Sequence, residues 1–226
     1  MSGPLQDAWR DWTGAIECTD TGHTWSAGDL REQTDQAAAL LASQGVQPGD
    51  RVAVSLPNTA AFPVWVMACL TMGATPALLS AGITDSELEA YQQNHGMRWL
   101  VHTFDKATSH LGAMVDDQSA AGTIAAQPTW VMRLADGPQH TPNPLEQGAL
   151  LHPTSGTFGR AQLCVRNQQA AVAEAANFLA RVGVYDQCRV TLTTPMSHAY
   201  AFGFGWVAAL LSHSTLVVDG VFNPKR

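Results

Sequence analysis

The chain has 226 residues, enough for one large domain or two small ones. It is 46% hydrophobic and only 14% charged, which excludes a disordered chain and implies a sizeable core. A formal net charge of -7, with lysine only at Lys106 and Lys225, argues against nucleic acid as the main partner.

The four cysteines, Cys18, Cys69, Cys164 and Cys188, are scattered and form no Cys-x-x-Cys pair, which argues against a structural zinc site. Cys69 and Cys164 sit in apolar surroundings and read as buried thiols. Residues 1–10 carry no apolar run, so no signal peptide is expected there. Residues 60–72 are apolar but reach only about half the length of a membrane span, and they contain Pro63. The expectation is a soluble protein of a reducing cytoplasm, with no membrane span.

In chain order, Ser26 is placed to cap a helix over residues 25–45. Leu30, Thr34, Ala37, Ala38 and Leu41 recur at helical spacing, and Gly45 ends it. Gln47-Pro48-Gly49-Asp50 is a turn signal. A strand follows at 51–56, then a helix over 59–72 that stops at Gly73, then a strand at 74–79. Thr84 or Asp85 caps the next helix, which runs to about Asn94 with Gly96 at its end. Residues 99–103 form a third strand.

Residues 116–127 are polar, alanine-rich and weakly periodic. A strand is expected at 128–134 and a surface connector at 135–147, which holds three prolines. Residues 150–153 lead into a glycine-rich loop. A long alanine-rich helix over 168–181, a strand at 189–194, a helix over 204–212 and a strand at 215–218 complete the chain. This alternation predicts an α/β fold with a mostly parallel sheet flanked by helices.

Two segments carry candidate chemistry. Thr154-Ser155-Gly156-Thr157-Phe158-Gly159-Arg160 packs two glycines and three hydroxyl side chains into seven residues. Such a loop is either an ordinary turn or a cradle of backbone N–H groups and hydroxyls for a phosphate chain. It lacks the Gly-Lys-Ser/Thr end of a Walker loop. Arg160 is the nearby cation for a phosphate oxygen. Gln162 can donate a hydrogen bond there but brings no charge, a loss on the order of 1–3 kcal/mol against a charged donor.

The second segment is Thr194-Pro195-Met196-Ser197-His198-Ala199-Tyr200, at the carboxyl end of a strand, where open α/β sheets bind ligands. His198 is either a donor to a substrate oxygen, a pocket gate, or a structural histidine at a turn. No catalytic triad is readable. Ser155 lacks the Gly-x-Ser-x-Gly elbow, and the proximity of His152 in sequence does not make it a base. His95, His102, His110 and His213 show no metal-ligand spacing and read as surface or partly buried. No metal site is expected.

Together these segments resemble the N-terminal part of an adenylate-forming enzyme, the superfamily of acyl- and aryl-CoA synthetases, luciferases and nonribosomal adenylation domains. The loop TSGTFGRAQ is similar to the signature T-S-G-T-T-G-x-P-K-G, with Phe158, Ala161 and Gln162 replacing Thr, Pro and Lys. GVQPGDRVAVSLPN and ACLTMGATPALLS are similar to upstream stretches of the family. TPMSHAYAFGF resembles P-x-x-H-x-x-G, with His198 in the histidine position, and favours the acyl-CoA ligase branch. The likeness runs from about Trp25 to Phe222.

The resemblance implies that Thr154, Ser155, Gly156, Thr157, Gly159, Arg160 and Gln162 bind the phosphates of ATP or an acyl-AMP. It implies a catalytic and substrate-side role for His198, and that Ala199, Tyr200, Phe202 and Gly203 border the acyl group. It implies Mg2+ with ATP, a carboxylic acid substrate and CoA. Family members run to about twice this length, so residues 1–226 read as an incomplete N-terminal portion of the large domain. The remainder of the same enzyme, or a complementary chain, would complete the site. Two other readings follow from Gln162 and from the missing half: a variant that uses preformed acyl-AMP only for the thioester step, and a non-catalytic binding or assembly relative.

Overall fold

The computed structural model describes residues 2–103, 115–134, 146, 148–154, 162–183 and 187–220, with the backbone alone for 115–120. Its centre is a seven-stranded sheet in the order β6-β7-β5-β3-β4-β8-β9. The strands are β3 (Arg51–Ser55), β4 (Thr75–Leu79), β5 (Trp99–Thr103), β6 (Val115–Ile124), β7 (Gln127–Leu134), β8 (Ala149–Pro153) and β9 (Leu163–Asn167). The four central strands, β5, β3, β4 and β8, are parallel; β7, β6 and β9 add antiparallel flanks. β3 and β4 are buried along their whole length, which is why they read as unbroken apolar runs rather than alternating ones.

Helices cover both faces. α3 (Ala61–Thr71) packs beside Val52, Val54 and Leu150, and burial on all its sides explains its continuous apolar sequence. Each fully buried aromatic there, Phe62 or Trp65, contributes about 1.5–3 kcal/mol. α2 (Ala27–Ser43) lies against α3. Ser26 caps it in a reciprocal pair with Asp29: the Asp29 N–H donates to Ser26 Oγ at 3.1 Å and the Ser26 N–H to Asp29 Oδ2 at 3.0 Å. On the opposite face α4 (Asp85–His95) packs Leu88 and Tyr91 against Ala53, Ala77, Leu100 and Leu151. Thr84 and Glu87 cap its start, and Gly96 at φ 56° ends it.

A second sheet, in the order β10-β11-β1-β2, comprises β1 (Ala15–Cys18), β2 (His23–Ser26), β10 (Arg189–Leu192) and β11 (Thr215–Val218). β1 runs parallel to β11, with Ile16 opposite Leu216. Sequence patterning does not reveal β1, β2 or the N-terminal helix α1 (Pro4–Asp11), which is only two turns long. Tertiary packing makes that helix: Trp9 stacks on Trp12 at 5.7 Å and meets Trp206 edge-on at 6.1 Å, and Trp12 Nε1 donates to the Ser214 carbonyl at 3.0 Å.

Several expectations change. Residues 115–124 form β6 of a hairpin whose turn, Ala125-Ala126, has φ of 47° and 59° at two alanines. A left-handed pair usually calls for Asn-Gly, so composition did not flag this turn. Within the expected connector, Glu146 is buried and holds Arg51 through two bonds, Arg51 Nε to Oε2 at 2.9 Å and Nη2 to Oε1 at 2.6 Å. Cys164 is exposed, because β9 is the outermost strand of its sheet. Cys69 is buried as expected, and burial raises its thiol pKa. His102 is buried as well, with Nδ1 2.8 Å from the Ser55 carbonyl oxygen. The last helix starts earlier than expected, as a π-helix at Ala201–Val207 that continues into α6 (Ala208–Leu211).

Candidate functional site at the carboxyl ends of the strands

β8 runs parallel to β4, so the loop that leaves β8 emerges at the carboxyl end of the central strands. The Thr154 N–H donates to the Gln162 carbonyl at 2.9 Å and closes the mouth of that loop. Pro153 pairs with Leu163 just below. Thr154 and Gln162 are both exposed at this mouth. Ser155, Gly156, Thr157, Phe158, Gly159, Arg160 and Ala161 lie outside the described residues.

The His198 segment approaches from the second sheet. After β10 the chain turns, with the His198 N–H bonded to the Pro195 carbonyl at 2.9 Å. The His198 carbonyl then accepts the Phe202 N–H at 2.9 Å, at the entry to the π-helix. π-Helical turns are rare and concentrate at functional sites. His198, Ala199 and Tyr200 are exposed, whereas Phe202 and Gly203 are buried. Tyr200 leaves 67% of its surface open, high for a large aromatic side chain.

Asn58 ties this turn to the central sheet. It follows β3 at the same carboxyl end; its Oδ1 accepts the Met196 N–H at 2.7 Å and its Nδ2 donates to the Thr194 carbonyl at 3.0 Å. The Thr194 carbonyl that Asn58 meets lies 136 residues away in sequence. That separation is what hid its role.

From the other side, Arg166 on β9 grips the same segment. Its Nη1 donates to the Ala199 carbonyl at 3.3 Å, its Nη2 pairs with Glu174 on α5 (Gln168–Val182), and its guanidinium carbon lies 5.1 Å from the Phe202 ring centroid. Burial pulls the Arg166 pKa below the usual arginine value, and Glu174 opposes that shift. Sequence patterning predicts no strand at 163–167, so neither β9 nor the role of Arg166 was readable there.

His152 lies one residue before the end of β8, edge-on to Phe202 at 5.0 Å. Burial first, and the Arg166 charge second, push its pKa down to about 4, so the ring is neutral at pH 7. The Ser197 backbone favours its charged form but is not in hydrogen-bonding geometry, and both ring nitrogens lack a partner among the described residues.

A profile of the AMP-binding enzyme family matches residues 5–225. The chain belongs to the AMP-binding enzyme family. Feruloyl-CoA synthase from Amycolatopsis sp is 28% identical over 204 residues, covering 90% of this chain and 40% of that protein. The structure of MbtA from Mycobacterium smegmatis superposes with a TM-score of 0.69 at 27% identity, covering 95% of this chain and 42% of that one. An o-succinylbenzoate-CoA synthetase from Bacillus subtilis, solved with ATP and magnesium ion, has the same fold, with a TM-score of 0.76 at 17% identity over 100% of this chain and 59% of that one. The chain thus spans about 40% of the length of the feruloyl-CoA synthases it matches. Among the described residues, no cluster of three His, Cys, Asp or Glu side chains is placed to hold a metal, and no helix is long and apolar enough to cross a membrane.

Proposed function

We propose that this chain is the N-terminal part of a carboxylate–CoA ligase that forms an acyl-AMP and passes the acyl group to CoA. The observation that carries the reading is a convergence. The mouth of the Thr154–Gln162 loop and the His198 turn both lie at carboxyl ends of strands, and the turn is held there by Asn58 and Arg166. The loop would take the phosphates of ATP, and His198, Ala199, Tyr200, Phe202 and Gly203 would border the acyl group. Mg2+ enters with ATP as part of that substrate.

In the first step a carboxylate oxygen attacks the α-phosphorus of ATP, and the bond to pyrophosphate breaks. In the second, the CoA sulfur attacks the acyl carbon, AMP leaves, and the thiol proton passes to solvent. The protein's part is to orient the reactants and offset charge. The rest of the enzyme, or a complementary chain, supplies the remaining walls of the site. The name of the feruloyl-CoA synthase relative makes hydroxycinnamates the first acids to test.

The test is product formation by the complete enzyme with a panel of aromatic and aliphatic acids, reading acyl-AMP and acyl-CoA separately. Folded enzyme that yields neither product overturns the reading. Gln162 favours one alternative, in which the enzyme accepts preformed acyl-AMP and carries out the thiol step alone. Supplying acyl-AMP without ATP separates the two: thioester only under that condition favours the alternative.

A further inference from the structure

Arg166 makes three contacts that no single structural role requires. It bonds the Ala199 carbonyl, one residue after His198. It faces the Phe202 ring, one turn further on. It pairs with Glu174, which fixes it to α5. Its own strand, β9, begins at Leu163, the residue after Gln162. One guanidinium therefore bridges the strand leaving the loop and the segment that carries His198.

The partner surface accommodates it. A Cβ built on Gly203 would lie 2.8 Å from Arg166 Nη2 and 3.5 Å from Glu174 Oε1. Gly203 is the residue that lets the guanidinium reach across the π-helix. The planar fork matters here: it serves a carbonyl, a carboxylate and an aromatic ring at once, which a lysine ammonium cannot do. The Arg166 side chain is only 12% exposed, whereas its partners Ala199 and Glu174 open to solvent.

We propose that Arg166 is a positioning residue that couples β9 and α5 to the His198–Phe202 segment, fixing the acyl-side wall. This rests on the ligase reading above. Its action runs through the Ala199 carbonyl and the Phe202 ring.

The test uses the complete enzyme with Arg166→Met, Arg166→Lys, Gly203→Ala, and the double variant Arg166→Met with Gly203→Ala. Met keeps the apolar stem and removes the fork; Ala at position 203 displaces the fork from the opposite side. Arg166→Met and Gly203→Ala are each expected to raise KM for the carboxylate by about tenfold, the scale of one lost charge-assisted hydrogen bond. KM for ATP should stay within about twofold and the thermal midpoint within about 3 °C. Lys should fall between Met and the parent. The double variant should be no worse than the worse single, because both remove the same contact.

Multiplying losses in the double variant, or an unchanged carboxylate KM with activity falling only as stability falls, would overturn the coupling while leaving the ligase reading intact. A parent enzyme that forms neither product overturns both.

Discussion

Asn58 holds Met196 by its backbone: the Asn58 side-chain oxygen accepts the Met196 N–H at 2.7 Å while its amide nitrogen donates to the Thr194 carbonyl at 3.0 Å. One amide thus locks the turn before His198 to the end of β3. Asn58→Ala removes both bonds. In the complete enzyme it should cost about 1–2 kcal/mol of stability but lower acyl-CoA formation by about tenfold to a hundredfold, because a small displacement of a site segment is magnified in rate. Asn58→Asp keeps the acceptor and loses the donor, and should fall between the two. Steady-state kinetics beside urea unfolding checks this; a rate loss no larger than the stability loss allows would remove Asn58 from the site.

The Arg51–Glu146 pair predicts a stability effect far from the chemistry. Both side chains are about nine-tenths buried, and Glu146 also presents its backbone carbonyl to the Thr75 hydroxyl at 3.2 Å. Glu146→Ala leaves a buried guanidinium that, among the described residues, keeps the His95 carbonyl as its side-chain partner. The expected cost is about 3 kcal/mol, read as a lower urea midpoint for the complete protein. Glu146→Gln keeps a hydrogen-bond acceptor and should cost less.

The β6–β7 turn predicts a gain. Ala126 is exposed with φ at 59°, a conformation that strains any residue with a Cβ. Ala126→Gly should stabilise the complete protein by about 0.5–1 kcal/mol, a rise of about 1 °C in Tm. Ala126→Val should move Tm the other way.

His152 predicts a pH dependence. Its folded pKa, about 4, lies below the usual histidine value of 6.5. The stability held by the neutral ring is therefore fully present above about pH 6.5 and is lost as pH falls toward 4. The full effect amounts to at most about 3 kcal/mol. His152→Leu should flatten the stability profile between pH 6.5 and 4 relative to the parent. An unchanged profile would mean that the ring is not held neutral by burial.

The sequence made the central sheet readable because β3, β4, α2 and α3 follow local rules: apolar runs, a Ser26 cap and helical spacing at Leu30, Thr34 and Leu41. It did not reveal α1 or β1, since these short elements are held by contacts about 200 residues distant, such as Trp12 with Ser214. The loop and the His198 segment were legible as motifs. Asn58 and Arg166 were not, because what matters about them is the contact each makes across the fold. The exposure of Cys164 depended on β9 lying at a sheet edge, which composition does not encode.

The neutral side chain at Gln162 bears on which half-reaction this enzyme performs. Gln162→Lys places a cation at the mouth of the loop, where Thr154 and Gln162 meet. In the complete enzyme it should raise the adenylation rate by about tenfold if charge limits that step, with little change in the thiol step.

The most direct measurement is carboxylate-dependent exchange of labelled pyrophosphate into ATP by the complete enzyme, followed by addition of CoA. The account predicts exchange that requires an acid, with an aromatic acid tested first, and acyl-CoA once the thiol is present. Folded enzyme that shows no exchange with any acid and forms no thioester from ATP, acid and CoA would contradict it.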